Sequence, residues 1–143
     1  MEYDKKIILI SCASKKLAFK SKAKDLYISP LFRLSLAYAK KLKPDKIFIL
    51  SAKYGLLNLN DEIATYNETL NNKPVSDIKK WADKVVTELG KTVSLKSDMF
   101  IFFAGKKYRK YILPHIKYYK IPLKGLRIGE QLKFLKNKLK QNN

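Results

Sequence analysis

Apolar residues come along this chain in two rhythms. Three short runs, Ile7 to Ile10, Ile47 to Leu50 and Phe100 to Phe103, contain no polar position, the pattern of strands buried on both faces of a parallel sheet. They predict strands over 5–11, 46–51 and 98–104. Between and after them apolar residues recur every three or four positions, the helical period. Ser29 reads as an N-cap with Pro30 at the first helical position, and Leu31, Leu34, Tyr38 and Leu42 form a core-facing stripe that ends before Pro44. Ser76 reads as the cap of a second helix that buries Ile78, Trp81, Val85 and Leu89 and stops at Gly90. Trp81 is assigned to the core rather than to a ligand platform.

The remainder is less regular. Leu56 to Pro74 has no clean period and carries Asn58, Asn60, Asn67, Asn71 and Asn72, so short strands or helical turns are expected inside a long connection. Lys106 to about Leu113 predicts a short helix ended by Pro114. Tyr118 to Leu123 reads as an edge strand that tolerates Pro122. Gly125 and Gly129 bracket a turn, and a last helix from Glu130 to about Lys140 buries Leu132, Leu135 and Leu139, with residues 138–143 fraying. The alternation predicts an α/β fold: a single domain over 1–143 with a short, mostly parallel, Rossmann-like sheet of three to five strands flanked by helices. Its strand-helix-strand crossover should be right-handed.

Each apolar run gives way to small residues and then lysine: Ser11, Cys12, Ala13, Ser14, Lys15; Ser51, Ala52, Lys53, Tyr54, Gly55; Ala104, Gly105, Lys106, Lys107, Tyr108. In open α/β sheets ligands bind outside the carboxyl ends of the strands, where small residues admit a ligand to the backbone. If the runs are parallel neighbours, Lys15, Lys53 and Lys107 converge. Lys53 and Tyr54 lead the candidate catalytic residues, because a lysine beside a phenol and preceded by Ser51 binds phosphate or, once desolvated, acts as an acid or base. The plainer alternative is a packed turn with Lys53 in solvent; Gly55 suits a positive φ either way. Ser11, Cys12, Ser14, Lys15, Ser51, Gly105, Lys107 and Tyr108 complete a phosphate- or base-binding set. Cys12 is either a thiolate favoured by nearby positive charge or an inert half of the core. Glu130 is either a third catalytic group or a carboxylate stabilised by the helix dipole, and Gln131 can pair with a base edge. His115 is read as packing or capping.

Charge narrows the class of partner. The 143 residues carry 31 Lys and Arg against 12 Asp and Glu, a net charge of +19, which repels itself unless it meets polyanions. Twelve of those cations lie between Met99 and Asn143 against one acid, Glu130. Lys106, Arg109, Lys110, Lys117, Lys120, Lys124 and Arg127 form the candidate nucleic-acid face, interleaved with Tyr108, Tyr111, Tyr118 and Tyr119, which can stack on bases. Only three of the 31 are Arg, which favours phosphate contact over dense base reading. The alternative is a general preference for surface lysine. One cysteine and one histidine make neither an internal disulfide nor a usual zinc set, and no metal or cofactor is expected. No apolar stretch nears the roughly 18 residues of a membrane span, and the amino terminus lacks a signal peptide's cleavage site. A cytoplasmic protein without membrane contact is expected.

Five blocks in order, I-S-C-A-S-K-K (10–16), L-Y-I-S-P-L-F (26–32), L-S-A-K-Y-G-L-L with Ile63 and Tyr66 (50–66), A-G-K-K-Y (104–108) and P-L-K-G-L-R-I-G-E-Q-L (122–132), resemble a small prokaryotic and phage family catalogued as a domain of unknown function. The central block also resembles, more distantly, the peroxide-stress YaaA family. That resemblance implies a YaaA-like α/β core and DNA, ahead of RNA, as partner; Ala64 and Thr65 stand where that family has an acid and a proline. The expected function is nucleic-acid binding with a phosphate- or base-binding site at the strand ends. The alternatives are an enzyme acting on nucleic-acid bases or nucleotides, such as a glycosidase or base-modifying transferase with a nucleotide or modified base as substrate, and a basic protein-interaction domain.

Overall fold

A computed structural model describes residues 3–141. The three apolar runs become β1 (Lys6–Ser11), β3 (Lys46–Ser51) and β6 (Met99–Phe103). Between β1 and β3 lie β2 (Ser21–Lys22), α1 (Ala23–Leu26) and α2 (Pro30–Lys41). Between β3 and β6 come β4 (Gly55–Asn58), β5 (Glu62–Ile63) and α3 (Val75–Gly90). The chain ends with α4 (Lys106–Arg109), β7 (Tyr118–Lys120) and α5 (Ile128–Lys140). The main sheet has the order β4-β3-β1-β6-β7, and β2 pairs with β5 in a second sheet of two strands. β1, β3, β6 and β7 are parallel, and only β4 runs against its neighbour.

Alternating side chains of each central strand enter opposite layers. Ile7, Leu9, Phe48, Leu50, Phe100 and Phe102 pack against Ile78, Trp81, Ala82, Val85 and Leu89 of α3. Ile8, Ile10, Ile49, Ile101 and Phe103 face α1, α2 and α5 through Leu26, Phe32, Leu36, Ala39 and Leu135. Burial on both faces explains why the strands read as unbroken apolar runs. The domain is a three-layer α/β sandwich of the expected class.

Several local expectations are corrected. Ser76 does not cap α3: Pro74 is the N-cap, Ser76 sits inside the first turn, and no side chain closes that end. The fixed φ of proline near −65° and its missing N–H suit the place where a helix begins. In α2 the deepest residues are Phe32, Ser35, Leu36 and Ala39. The stripe Leu31, Leu34, Tyr38 and Leu42 packs against the same core as expected but is only half-buried, Tyr38 meeting Phe103 and Phe134 edge-on at 5.8 and 6.2 Å. Ser29 does cap α2, accepting from the Phe32 N–H at 3.2 Å. The helix after Lys106 is a single turn, and Pro114 lies within a 3-10 turn, Leu113–His115, rather than ending a longer helix. Gly129 belongs to the first turn of α5, so only Gly125, at φ +81°, holds the preceding turn. Leu132 and Leu139 are half-buried beside the fully buried Leu135. Of the tail expected to fray over 138–143, residues 138–140 are helical, and 142 and 143 lie outside the described residues.

Candidate functional site

The order of the sheet decides where a ligand can enter. From β1 the chain leaves through α2 to β3 on one side, and later returns through α3 to β6 on the other side of β1. α2 covers one face, whereas the segment leaving β6 packs Tyr108, Ile112 and Ile116 into the opposite layer. Outgoing connections on opposite faces open a crevice between adjacent strand ends, the topological switch point of α/β folds. A crevice of about 110 Å³ lies there, lined by Ser11, Cys12, Ser29, Ser35, Arg109 and Gln131 over apolar walls that include Ile10, Phe32 and Phe103. Arg109 donates from Nη1 to the Ala104 carbonyl at 2.7 Å, and burial lowers its pKa from the usual value. Gln131 donates from Nε2 to the Leu126 carbonyl at 2.9 Å.

A second polar cluster occupies the adjoining end of β3. Ser51 is fully buried; its Oγ accepts from the Lys53 and Tyr54 N–H groups at 3.3 and 3.0 Å and donates to the Tyr66 hydroxyl at 2.9 Å. The Tyr66 hydroxyl lies 2.6 Å from that of Tyr27. The Lys16 ammonium stands 4.4 Å from the centroid of the Tyr66 ring, and desolvation lowers its pKa. Desolvation raises the pKa of both Tyr27 and Tyr66. Cys12 donates from Sγ to the Tyr108 hydroxyl at 3.5 Å, and that hydroxyl also accepts from the Leu70 N–H at 3.2 Å. Burial first, then the charge available to Cys12, pushes the Tyr108 pKa up to about 12. Trp81 is in the core, with Nε1 donating to the Ser51 carbonyl at 2.8 Å and its ring edge-on to Tyr108 at 5.6 Å.

The strand ends therefore meet on one edge, but the sequence-selected residues divide. Ser11, Cys12, Gly105, Arg109 and Gln131 line the crevice. Ser51 and Tyr108 are buried beside it, and Tyr54 is half-buried, donating to the Ala64 carbonyl at 3.2 Å and packing edge-on against Tyr66 at 5.4 Å. Ser14, Lys15, Lys53, Lys106 and Lys107 are exposed; Lys107 donates to the Asn71 carbonyl at 3.0 Å. Glu130 is exposed and accepts from the Arg127 N–H at 2.9 Å, which fixes the first turn of α5 and places it outside the crevice lining. Lys110 is exposed at the end of α4, and Lys117, Lys120, Lys124 and Arg127 are exposed around β7 and the turn before α5. His115 is exposed in its 3-10 turn.

Sequence reasoning passed over Lys16, Tyr27, Ser29 as a crevice residue, Ser35 and the hydroxyl of Tyr66. Tyr27 and Tyr66 lie inside two of the five ordered blocks, the one signal that pointed to them. Among the described residues no group of three His, Cys, Asp or Glu is placed to hold a metal, and no helix is long and apolar enough to cross a membrane.

These features define an α/β protein with a polar crevice at the switch point of its sheet. Residues 7–137 match the family of unknown function DUF6884, and the chain belongs to that family. It matches no curated protein and no solved structure.

Proposed function

We propose that this protein binds nucleic acid, with lysines of its last third tracking the phosphate backbone and the strand-end crevice receiving a phosphate or base. The observation that carries this reading is uncompensated charge. With 31 basic and 12 acidic residues, the described residues contain a single ion pair, Lys73 with Glu68 at 3.5 Å. Cations left without carboxylates stay solvated, and a polyanion that releases counterions is their natural complement. The Tyr118 and Tyr119 rings beside Lys117 and Lys120 add stacking surfaces, Tyr119 being 45% exposed. The more distant resemblance of the Ser51 to Leu57 block to the YaaA family favours DNA over RNA.

Fluorescence anisotropy with duplex DNA, single-stranded DNA and RNA across a salt series tests the reading. The expected outcome is a linear fall of log affinity with log salt, with a slope of several units. Absence of binding at low salt, or an affinity indifferent to salt, defeats it.

A second reading, an enzyme acting on nucleic-acid bases, is favoured by the half-buried Lys16 and Cys12 beside the tyrosine cluster. Desolvation lowers the Lys16 pKa and so makes its ammonium readier to give up a proton. Mass spectrometry of small molecules released from native, modification-bearing DNA and tRNA separates the readings: a released base lost on Lys16→Met establishes turnover.

A further inference from the structure

We propose that the crevice between β1 and β6 binds the phosphate group of a phosphomonoester, held by the Arg109 guanidinium and the hydroxyls of Ser29 and Ser35. The inference rests on the proposed function for the nature of the ester, a nucleotide or a strand end, and on the crevice's own chemistry for the phosphate. Three observations converge.

Arg109 has five N–H donors in a planar fork, of which one is engaged by Ala104, and no carboxylate pairs with it among the described residues. A half-buried guanidinium without a counterion is matched to an oxyanion that accepts two parallel hydrogen bonds. Ser35 is 2% exposed, and its hydroxyl has no protein partner among the described residues. Because none of their fully buried side-chain polar atoms lacks a partner, that hydroxyl opens on the crevice it lines. The same wall contains the start of α2, a helix of 12 residues, where Ser29 caps the Phe32 N–H, Pro30 has none to offer, and the Leu31 N–H has no intrahelical partner. Arg109 is the one charged residue on the lining, and no acid stands beside it there.

Size limits what enters. About 110 Å³ is well below the roughly 300–1,000 Å³ that encloses a whole organic ligand, so the phosphate enters and the rest of the ester lies across the basic rim. The apolar floor strengthens the charge contact by excluding water.

The test compares short single strands that differ only in a 5′-phosphate or 5′-hydroxyl, at one salt concentration, with wild type, Ser35→Ala and Arg109→Gln. The phosphorylated strand should bind wild type roughly tenfold more tightly; both variants should lose most of that preference, and Ser35→Ala should hold the hydroxyl-ended strand as before. Ser35→Ala removes one atom and keeps the helix, so it decides the matter if Arg109→Gln fails to fold. Equal binding of the two strands by wild type, or a preference that survives Ser35→Ala, overturns the assignment and leaves basic-face binding intact. A nucleoside 5′-monophosphate and its parent nucleoside, titrated directly, separate the sources. Monophosphate binding without strand binding keeps the crevice assignment and removes the nucleic-acid reading. Binding of neither strand nor monophosphate overturns both.

Discussion

Ser51 donates a hydrogen bond to Tyr66 across 2.9 Å, although the two stand 15 positions apart. The contact ties the end of β3 to the irregular segment beyond β5, and through the 2.6 Å approach of Tyr66 to Tyr27 it reaches the residues before α2. Tyr66→Phe removes the shared hydroxyl and leaves those of Ser51 and Tyr27 short of a partner. The expected loss is about 1–3 kcal/mol, read by urea denaturation with Trp81 fluorescence as the signal. Unchanged stability means that water replaces the hydroxyl and that the cluster does not brace the strand ends.

The same cluster predicts alkaline sensitivity. The Tyr108 pKa rises from its ordinary 10.0 to about 12, and those of Tyr27 and Tyr66 rise as well, burial being the first cause in each. A folded-state pKa above the unfolded one means that the native state holds its proton more tightly. The stabilising contribution is therefore complete below about pH 10 and is lost as pH rises toward about 12 for Tyr108. Stability should be flat in this respect near neutrality and fall across that interval, with tyrosinate absorbance rising together with unfolding. Ionisation of all nine tyrosines while Trp81 remains native places these hydroxyls in solvent.

The strands were legible because double-sided burial writes itself into sequence. Ile47 to Leu50 and Phe100 to Phe103 admit no polar residue, since each position faces either α3 or the α2 layer. The crevice was legible in half. Ser11, Cys12 and Gly105 were found from the rule that ligands meet strand ends, whereas Lys16 was missed for its neighbour Lys15. In an irregular loop no period tells which of two adjacent lysines turns inward. β2 and β5 pair over two residues each, too short for alternation to show. Ser35 was hidden for another reason: a serine on the buried face of a helix looks like a tolerated small residue until a crevice is seen beside it.

Gly55 tests the turn at the heart of the most distinctive block. Its φ is +77°, and a Cβ there would stand 2.9 Å from Glu88 Oε1. Gly55→Ala should cost roughly 1–2 kcal/mol for the left-handed backbone alone, with a further loss if Glu88 is displaced from the Leu56 N–H, which it accepts at 3.5 Å. Thermal denaturation reads the change. A neutral substitution would mean that the loop relaxes to a different turn.

Charge removal on the basic rim gives a quantitative expectation. Lys117, Lys120 and Lys124 are exposed and unpaired with any carboxylate among the described residues, so their replacement by Gln should hardly alter folding. Each lysine that contacts a phosphate should remove about 0.7–0.9 from the slope of log affinity against log salt. A triple variant with the wild-type slope moves the binding face elsewhere on the molecule.

Glu130 distinguishes chemistry from capping. Its carboxylate receives the Arg127 N–H at 2.9 Å at the start of α5, where a negative charge meets the positive end of the helix dipole. Gln at the same position keeps an acceptor for that N–H and gives up only the charge. Glu130→Gln should therefore lower stability by no more than about 1 kcal/mol and leave nucleic-acid affinity nearly unchanged, or slightly raised by the loss of one negative charge. Anisotropy and urea denaturation on the same preparation check both statements. A variant that folds and binds as wild type but no longer releases a base from modified nucleic acid would return Glu130 to the reacting centre. In that case the exposed carboxylate would have to reach a base held across the rim rather than one enclosed in the crevice.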